Sequence, residues 1–538
     1  MKPGPRFFIF FCLFQSFGLS FAIGQTLSHG PVVGGVTAAS ANLFVRTSGP
    51  AHVLVRYGTD PKLPSYLKSE GFDTTEATDF TKIIPLSGLK AETTYYLRAV
   101  VNGIPHPSGS PYPSFKTFAA SGASRDFKFV VLTDFNTVSK LDRPSPTFAS
   151  ASAETPDFVF IGGDFDHRGP RPLETKRNMF RDLYDRTTPF MSDFVPLILE
   201  KYPVIHQWDD HDAGSNNVDR TYADWPVSQQ VFQEYMPTYP LPAVSPGTWQ
   251  KFSYAQMEGF VLDCRSQRDP DEDPDGEEKS MLDGNNLGAM SELQWLKDSL
   301  LASTALWKVI FTSVITNPTT KLYEGWGGYQ REWKELKDFI TDNHITGVVF
   351  ISGDLHLGAI DRGLASGFPE MCVAAPNSDK DGVRCSTAPT GSWSEGYFEN
   401  PCQGYGLVTV LTEPDRLVLQ AVDENGTVRV AYTVSDAGPT PTPTPTPAPP
   451  MIVNQPGNRT VRVGMPAKFR VSATGAPPLS YQWKVNGADI PGATANSYIT
   501  PPTSETNNGE RFSVKVTNLA GSVASKDARL TVRPASGP

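Results

Sequence analysis

The sequence predicts a multidomain protein in which a central α/β unit lies between two β-sandwich units. Short β-rich runs broken by Gly and Pro occupy residues 25–120 and 451–538, a spacing that is typical of sandwiches. In residues 121–436, apolar runs that end in carboxylates alternate with helical patterns, as in α/β folds. The length of 538 residues suits about three domains of roughly 100–200 residues each. Amphipathic helices are predicted at about 174–184, 291–301 and 331–342.

Residues 1–24 have the pattern of a signal peptide. A short basic start is followed by an apolar stretch from Phe7 to Ala22, and cleavage after Ala22 or after Gly24 both fit the small residues there. The stretch is shorter than the roughly 20 residues that a membrane-spanning helix needs. We therefore expect a secreted or periplasmic protein with no membrane span once the leader is removed.

Charge and cysteine content narrow the function classes. The chain carries 57 acidic and 47 basic residues, for a formal net charge of −10, so it lacks the basic footprint of a nucleic-acid-binding protein. After removal of the leader, four cysteines remain in a compartment that we expect to be oxidising. Up to two disulfides can form there, and three pairings are open. The four are Cys264, Cys372, Cys385 and Cys402.

The N-terminal unit is predicted to be structural. Residues 41–46 and 52–57 are short β-rich runs. The segment 86–99, which contains Tyr95 and Tyr96, resembles a strand entry of a fibronectin type III domain with a tyrosine-corner-like pair. We therefore expect a fibronectin-III-like domain over residues 25–120.

A Pro/Thr linker separates the last unit from the rest. Residues 437–450 contain a Thr-Pro alternation, which favours an extended and semi-rigid spacer. After it, the phrase around Trp483 resembles the buried-tryptophan strand of an immunoglobulin-like domain, although the two cysteines that bridge the sheets are absent. We expect an immunoglobulin-like domain over residues 451–538 that tethers the protein to cell wall or to a polymer.

Four separated segments of the central unit place carboxylate, amide or imidazole groups just after predicted strands. Ligands of α/β folds bind beyond the carboxyl ends of the strands, so we expect these groups to converge. Oxygen and imidazole ligands can hold two metal ions, and two ions roughly 3.5–4 Å apart can promote phosphoester hydrolysis near neutral pH. The segments are Leu132–Asn136, Gly162–Gly169, Gln207–Asp212 and Ser352–Gly358.

This set of segments resembles the calcineurin-like metallophosphoesterases, and within them the PhoD-type alkaline phosphatase/phosphodiesterase family. Further similar phrases lie at residues 261–268, 287–296, 326–329 and 367–370. The resemblance runs from about residue 30 to 437 and implies a four-layer α/β/β/α metallophosphoesterase core behind the N-terminal sandwich. It also implies a secreted, metal-dependent enzyme that hydrolyses phosphate esters with a metal-bound hydroxide.

The resemblance implies two metal ions and a general acid. Asp164 matches the carboxylate that bridges both ions. His211 matches the histidine that contacts the phosphate or protonates the leaving oxygen, which is general acid catalysis. The implied ligands are Asp134 and His356 at the first ion, with Asp210 and Asp354 at the second.

Two positions depart from the family pattern. Asn136 lies in the first motif, where PhoD relatives tend to have a cysteine ligand, and His167 stands where they tend to have tyrosine. Both are kept here as candidate metal ligands. Because cysteine and tyrosinate favour ferric iron, their absence leaves iron with calcium, manganese and zinc all open as the two metal ions.

Several polar residues near the motifs have more than one interpretation. Arg265 is a candidate catalytic residue that clamps the phosphate through its bidentate fork, and a structural salt bridge is the alternative. Asp212 is expected to cap a helix or hold a loop, and His206 to be a core histidine. Asp166 is open between a metal ligand and a loop cap.

The substrate class stays open between phosphate monoesters and diesters, with diesters favoured. The alternative from another function class is an extracellular adhesion or binding protein with a degenerate hydrolase core. A phospholipase or phosphotriesterase on the same scaffold is a further alternative. Each core ligand position carries a competent donor, which favours an enzyme.

Overall fold

The computed structural model describes the chain from residue 24 to residue 534, with gaps. The described residues are 24–134, 144–169, 172–244, 246–276, 279–285, 287–321, 323–376, 388–389, 391–398, 403–435, 449–475, 479–518 and 521–534. Residues 1–23 of the leader, most of the Pro/Thr linker, Asn136, Cys385 and Cys402 lie outside them.

The N-terminal unit consists of short strands, and most of their buried side chains belong to an apolar core that continues into the central unit. In chain order the strands are β1 (Leu27–Gly34), β2 (Ser40–Thr47), β3 (Ala51–Gly58), β4 (Leu67–Lys68), β5 (Phe72–Thr74), β6 (Thr81–Ser87), β7 (Thr94–Val101), β8 (Ile104–His106) and β9 (Ser114–Lys116). β3 and β7 are the centre of one antiparallel sheet, and Val53 of β3 shares a core with Leu43 of β2. The Tyr95 hydroxyl accepts the N–H of Lys90 at 3.0 Å, which is the contact of a tyrosine corner.

The central unit alternates strands and helices. Its strands are β10 (Phe127–Leu132), β11 (Phe158–Ile161), β12 (Val204–His206), β13 (Gln250–Tyr254), β14 (Met257–Val261), β15 (Trp307–Phe311), β16 (Val348–Ser352), β17 (Gly358–Asp361), β18 (Glu370–Cys372), β19 (Gly396–Phe398), β20 (Gly404–Thr412), β21 (Asp415–Asp423) and β22 (Val428–Ser435). Its helices are α1 (Pro146–Ala153), α2 (Leu173–Leu183), α3 (Asp210–Ala213), α4 (Trp225–Tyr235), α5 (Glu292–Ala302) and α6 (Gln330–Asp342). α2, α5 and α6 confirm the three predicted helices to within one residue at each end.

Parallel strands bring the polar loops of the central unit to one edge of each sheet. Across the described ranges, a nine-stranded sheet has the order β22-β21-β20-β10-β11-β12-β1-β2-β6, and a seven-stranded sheet has the order β13-β14-β15-β16-β18-β17-β19. β10, β11 and β12 are parallel neighbours, as are β14, β15 and β16. Their carboxyl ends therefore lie side by side, and the loops that follow them meet there.

The two large sheets face each other, and helices cover their other faces. The rings of Phe160 on β11 and Phe311 on β15 stack with centroids 3.9 Å apart. Alternate residues point to opposite faces of a strand, so Val159 packs instead with residues of α1, α2 and α4. In the second sheet, Ile310 packs with residues of α5 and α6. The site described below lies at the shared edge of these packed sheets.

A shared sheet joins the N-terminal unit to the central unit. β1 runs parallel to β12, with Gly34 opposite Val204. A Cβ at Gly34 would collide with the carbonyl oxygen of Val204, so this close approach requires glycine. Asp79 also accepts hydrogen bonds from Arg46 and from the Tyr235 hydroxyl of α4. The sequence pattern did not indicate this continuous sheet, and the domain boundary near residue 120 stays a prediction.

The residues after the linker form a unit with its own core. Its strands are β23 (Met451–Asn454), β24 (Arg459–Arg462), β25 (Lys468–Arg470), β26 (Ser472–Thr474), β27 (Ser480–Val485), β28 (Ala488–Asp489), β29 (Ser497–Ile499), β30 (Arg511–Asn518), β31 (Gly521–Ala524) and β32 (Ala528–Arg533). Trp483 of β27 is buried with Phe469 and Phe512. Its indole N–H donates to the carbonyl of Ala495 at 2.9 Å, so the tryptophan is the anchored centre of this core.

Two further expectations can be compared with the fold. Cys264 and Cys372 carry free, buried thiols, so neither forms a disulfide. In the parts of the chain that the structure describes, each helix is too short or too polar to cross a membrane.

His206 is a core residue, as expected from its apolar neighbours in the sequence. The side chain is buried at the end of β12, and neither ring nitrogen has a hydrogen-bond partner among the described residues. Burial lowers the pKa of His206 to about 3, against about 6.5 in an unfolded chain. Below pH 6.5 the unfolded state therefore binds a proton that the folded state does not bind.

The free energy of unfolding should fall as the pH drops from 6.5 toward 3, and His206 should contribute about 1.4 kcal/mol to this fall for each pH unit. The free energy of unfolding is measured with denaturant, in the presence of chelator, at pH 6.5 and at pH 5. Between these two pH values, His206→Leu should lose about 2 kcal/mol less stability than the parent loses. His52→Gln is the matched control, because the His52 side chain is 57% exposed. Equal losses in the parent and in His206→Leu would contradict this origin of the pH dependence.

Candidate metal centre

The first two predicted ligands lie at the carboxyl ends of neighbouring strands. Asp134 follows β10 and Asp164 follows β11, and these parallel strands place Leu132 opposite Ile161. The N–H of Asp134 donates to the carbonyl of Gly163 at 3.1 Å, which holds the two loops together. Both carboxylates are buried, so the fold brings the first two motifs into one site.

The fourth segment reaches the same place from the second sheet. Asp354 follows β16, and its N–H donates to both carboxylate oxygens of Asp134 at 3.1 Å. His356 lies two residues later, with Nε2 3.7 Å from Oδ1 of Asp134. These contacts join the ends of the two sheets.

Four of the predicted ligands have a left-handed backbone. The φ angle is +58° at Asp134, +52° at Asp164, +65° at Asp354 and +52° at His356. Residues other than glycine rarely adopt this region, at a cost of order 1–3 kcal/mol each, and such strain concentrates at functional sites. The fold therefore holds these four side chains in place at a cost in backbone energy.

Asp164 is the carboxylate that two groups of potential ligands share. The first group consists of Asp164, His167 and His211, and the second consists of Asp164, Asp209 and Asp210. Within each group, the potential ligand atoms lie within 4.8 Å of one another. Nε2 of His167 is 3.7 Å from Oδ2 of Asp164. The rings of His167 and His211 have centroids 4.6 Å apart. A ligand that bridges two metal ions needs this shared position.

The donor set fits metal ions. Carboxylate oxygens and imidazole nitrogens are ligands of zinc, manganese, iron and, for the oxygens, calcium. Among the described residues, both ring nitrogens of His167, Nδ1 of His211 and Oδ2 of Asp354 are buried without a hydrogen-bond partner. Buried polar atoms are normally paired, so these atoms favour a bound cation. Burial also lowers the pKa of His167 to about 3, which keeps its imidazole neutral and able to coordinate a metal.

Electrostatic repulsion between the carboxylates also favours a cation. Burial and neighbouring carboxylates raise the pKa of Asp134 and of Asp164. Burial alone would raise the pKa of Asp210 as well, but Arg265 and His211 hold it below its ordinary value. A metal ion would relieve this concentration of negative charge.

Arg265 is paired with Asp209 beneath the site. Its guanidinium is fully buried and donates from Nε and Nη2 to the two carboxylate oxygens of Asp209, with the Nη2–Oδ2 distance at 3.0 Å. Nη1 lies 3.7 Å from Oδ2 of Asp210. The sequence left two roles open for Arg265, a phosphate clamp and a structural salt bridge. The contacts with Asp209 are those of a salt bridge, and the catalytic role stays a prediction. Asp209 is not among the ligands predicted from the sequence, where its only signal is its place directly before Asp210.

Asp212 holds the loops around Asp164. Its carboxylate accepts the N–H groups of Asp164 at 2.8 Å, Asp209 at 2.9 Å and Phe165 at 3.3 Å. These bonds agree with the helix-capping and loop role expected from the sequence. Similarly, the carboxylate of Asp166 accepts the backbone N–H of Arg168 at 2.9 Å, which is the contact of a loop cap.

Lys321 is a residue of this site that the sequence analysis missed. Its ammonium lies 2.7 Å from Oδ1 of Asp354 and 3.0 Å from Oε2 of Glu324. It lies in the loop between β15 and α6, where no motif marks it. Of the predicted ligands, Asn136 alone lies outside the described residues, and the other six converge as set out above.

Comparison with known proteins identifies one family. The profile of the PhoD-like phosphatases matches residues 148–433, which is more than half of the chain. Alkaline phosphatase D of Bacillus subtilis (strain 168) is 24% identical over 347 residues, covering 56% of this chain and 56% of that protein. The chain therefore spans just over half the length of this curated relative.

Two further similarities concern the fold and a short segment. A solved structure of PhoD superposes with a TM-score of 0.59 at 17% identity, covering 76% of this chain and 90% of that chain, which shows a shared fold. Endoglucanase C of Cellulomonas fimi is 36% identical over 91 residues, or 16% of this chain and 8% of that protein.

Proposed function

Because the chain belongs to the PhoD-like phosphatase family, we propose that it is a metal-dependent phosphoesterase that hydrolyses phosphate esters. One observation carries the proposal: Asp164 lies at the meeting point of two ligand groups, around which several buried donor atoms have no hydrogen-bond partner in the described chain. An adhesion protein with a degenerate core has no need to keep this set of donors.

Each predicted ligand has a role in this proposal. Asp164 would bridge two ions, and when bound these would neutralise the phosphate oxygens and lower the pKa of a coordinated water. The first ion would be held by Asp134, His356 and His167, with Asn136 as a further ligand, and the second by Asp210 and Asp354. The two ions are proposed to be iron with calcium, or to be manganese or zinc.

His211 would donate the proton that the leaving oxygen needs. Its backbone N–H donates to Oδ1 of Asp164 at 3.1 Å and to Oδ1 of Asp210 at 2.8 Å. These two bonds fix its main chain against the proposed ligands. Its Nδ1 is buried without a partner among the described residues. The side chain is thus placed at the site with a nitrogen available for proton transfer or for a ligand.

The core, the two outer β-rich units and the leader also have proposed assignments. We infer the four-layer α/β/β/α core from the face-to-face sheets and their outer helices. The fibronectin-III-like and immunoglobulin-like assignments are supported by the Tyr95 contact and by buried Trp483. Export is supported by the leader pattern of residues 1–24, and a tether to cell wall or polymer is proposed for residues 451–538.

Metal removal should abolish turnover. The purified protein is expected to hydrolyse 4-nitrophenyl phosphate, bis(4-nitrophenyl) phosphate or both, and a chelator should reduce either rate by about 10³-fold or more, because charge stabilisation at the site is lost. Adding back iron with calcium, manganese or zinc one at a time should restore the rate and identify the metals. Turnover that a chelator leaves unchanged, or no turnover with any of these ions, would contradict the proposal.

A further inference from the structure

Lys321 places a positive charge at the edge of the candidate metal centre. Neither the proposed metal ligands nor the proposed general acid account for this residue. Its side chain is 26% exposed, whereas the nearby guanidinium of Arg265 is fully buried and paired with Asp209. The loop holds Lys321 in a left-handed conformation with φ of +44°. Part of the Lys321 side chain is therefore open to solvent, whereas the Arg265 guanidinium is fully enclosed.

The contact with Asp354 leaves one carboxylate oxygen for a metal ion. Lys321 bonds to Oδ1 of Asp354 at 2.7 Å, while Oδ2 is buried with no partner in the described residues. One carboxylate can thus serve a metal through Oδ2 and keep the ammonium beside it through Oδ1. This arrangement places a fixed positive charge next to the second proposed ion.

A positive charge in this position disfavours a metal ion but favours an anion. Like charges repel, so the ammonium would weaken cation binding at Asp354. Glu324 lies 3.0 Å from the ammonium on its other contact, so Asp354 and Glu324 engage two of its three N–H groups. The third N–H could donate to an anionic oxygen.

We propose, building on the phosphoesterase function above, that Lys321 binds a non-bridging oxygen of the substrate phosphate and favours phosphomonoesters over phosphodiesters. A monoester dianion carries one more negative charge than a diester monoanion, and its phosphate has an additional terminal oxygen. A fixed ammonium stabilises that additional charge. A diester has an ester-linked group in place of this oxygen and gains less from Lys321.

The test compares Lys321→Met with the parent after both are loaded with the same metals and their metal content is measured. Inorganic phosphate should inhibit Lys321→Met about tenfold more weakly, which corresponds to about 1.4 kcal/mol. The kcat/KM for 4-nitrophenyl phosphate should fall about tenfold, and that for bis(4-nitrophenyl) phosphate less than about threefold. Lys334→Met is the matched control, since Lys334 is 72% exposed on α6 and pairs with Asp338.

Glu324→Gln should have the opposite effect. Without its negative charge the Lys321 ammonium is less neutralised, so inorganic phosphate should inhibit more strongly, by about threefold to tenfold. The gain should be smaller in the double variant with Lys321→Met, because the cation that Glu324 opposes is gone. If Lys321 and Glu324 form a purely structural ion pair, both single variants should weaken phosphate binding and should lower kcat/KM equally for the two substrates. That result would overturn the proposal.

Failure of this inference can be distinguished from failure of the phosphoesterase function. Turnover in the parent with an unchanged monoester-to-diester ratio in Lys321→Met would remove the role of Lys321 alone. Absence of turnover in the metal-loaded parent would remove the phosphoesterase function. In that case, calorimetry with inorganic phosphate would still decide whether Lys321 binds phosphate, and equal affinity in parent and variant would reject it.

Discussion

Replacing Asp164 with asparagine should reduce phosphoester turnover by about 10³-fold or more, which is about 4 kcal/mol of activation free energy. Asp164 is the carboxylate shared by both ligand groups. The amide has one oxygen and no charge, so it cannot bridge two cations. It can still accept the N–H of His211, which now donates to Oδ1 of Asp164 at 3.1 Å. The loss should therefore be chemical rather than structural.

Two measurements separate the chemical effect from misfolding. Without metal, Asp164→Asn should be as stable as the parent or more stable, because one member of a buried carboxylate cluster becomes neutral. With metal, the parent should gain stability and the variant should gain less, as measured by thermal unfolding and by bound metal per chain. Asp338→Asn on the surface of α6 is the control. A variant that keeps full turnover and metal content would exclude Asp164 as the bridging ligand.

Replacing Arg265 with methionine should destabilise the metal-free protein by about 3–5 kcal/mol. The guanidinium is fully buried and is the bidentate partner of Asp209. Its removal leaves the Asp209 carboxylate buried without this counter-charge, close to Asp210. Denaturant unfolding of the central unit in the presence of chelator measures this loss without a contribution from metal binding.

The double variant Arg265→Met with Asp209→Asn provides the decisive comparison for Arg265. Removing both charges should recover part of the stability, because no buried carboxylate is left unpaired. Arg362→Met is the matched control, since Arg362 is 52% exposed and lies 3.6 Å from Glu395; it should change stability by less than about 1 kcal/mol. If Arg265→Met unfolds like the parent but binds phosphate more weakly, the clamp interpretation from the sequence is correct instead.

The sequence was most informative where several independent patterns agreed. The predicted helices at α2, α5 and α6 are present to within one residue, because each has apolar residues at helical spacing. The motif aspartates follow buried strands as expected, since apolar runs that end in carboxylates are typical of parallel strands. The family assignment also follows from the sequence, and the matched profile confirms it.

The sequence was least informative about contacts between distant segments. It predicted an N-terminal sandwich but not the pairing of β1 with β12, because the pairing that sets Gly34 opposite Val204 leaves no signal in the pattern of either strand. It also left Arg265 open between two roles. An arginine near a carboxylate motif looks the same in sequence whether its guanidinium faces a ligand or a buried aspartate.

The sequence by itself determined the sheet-rich multidomain organisation, the family and the residue types of the candidate metal centre, because these depend on local periodicity and on motifs within a few residues of one another. Only the tertiary structure decided which charges meet. Asp209 with Arg265, Asp212 with the Asp164 loop, and Lys321 with Asp354 are each far apart in the chain. Electrostatic interactions depend on distance and burial in space, so these pairings become visible only when the sheet edges come together.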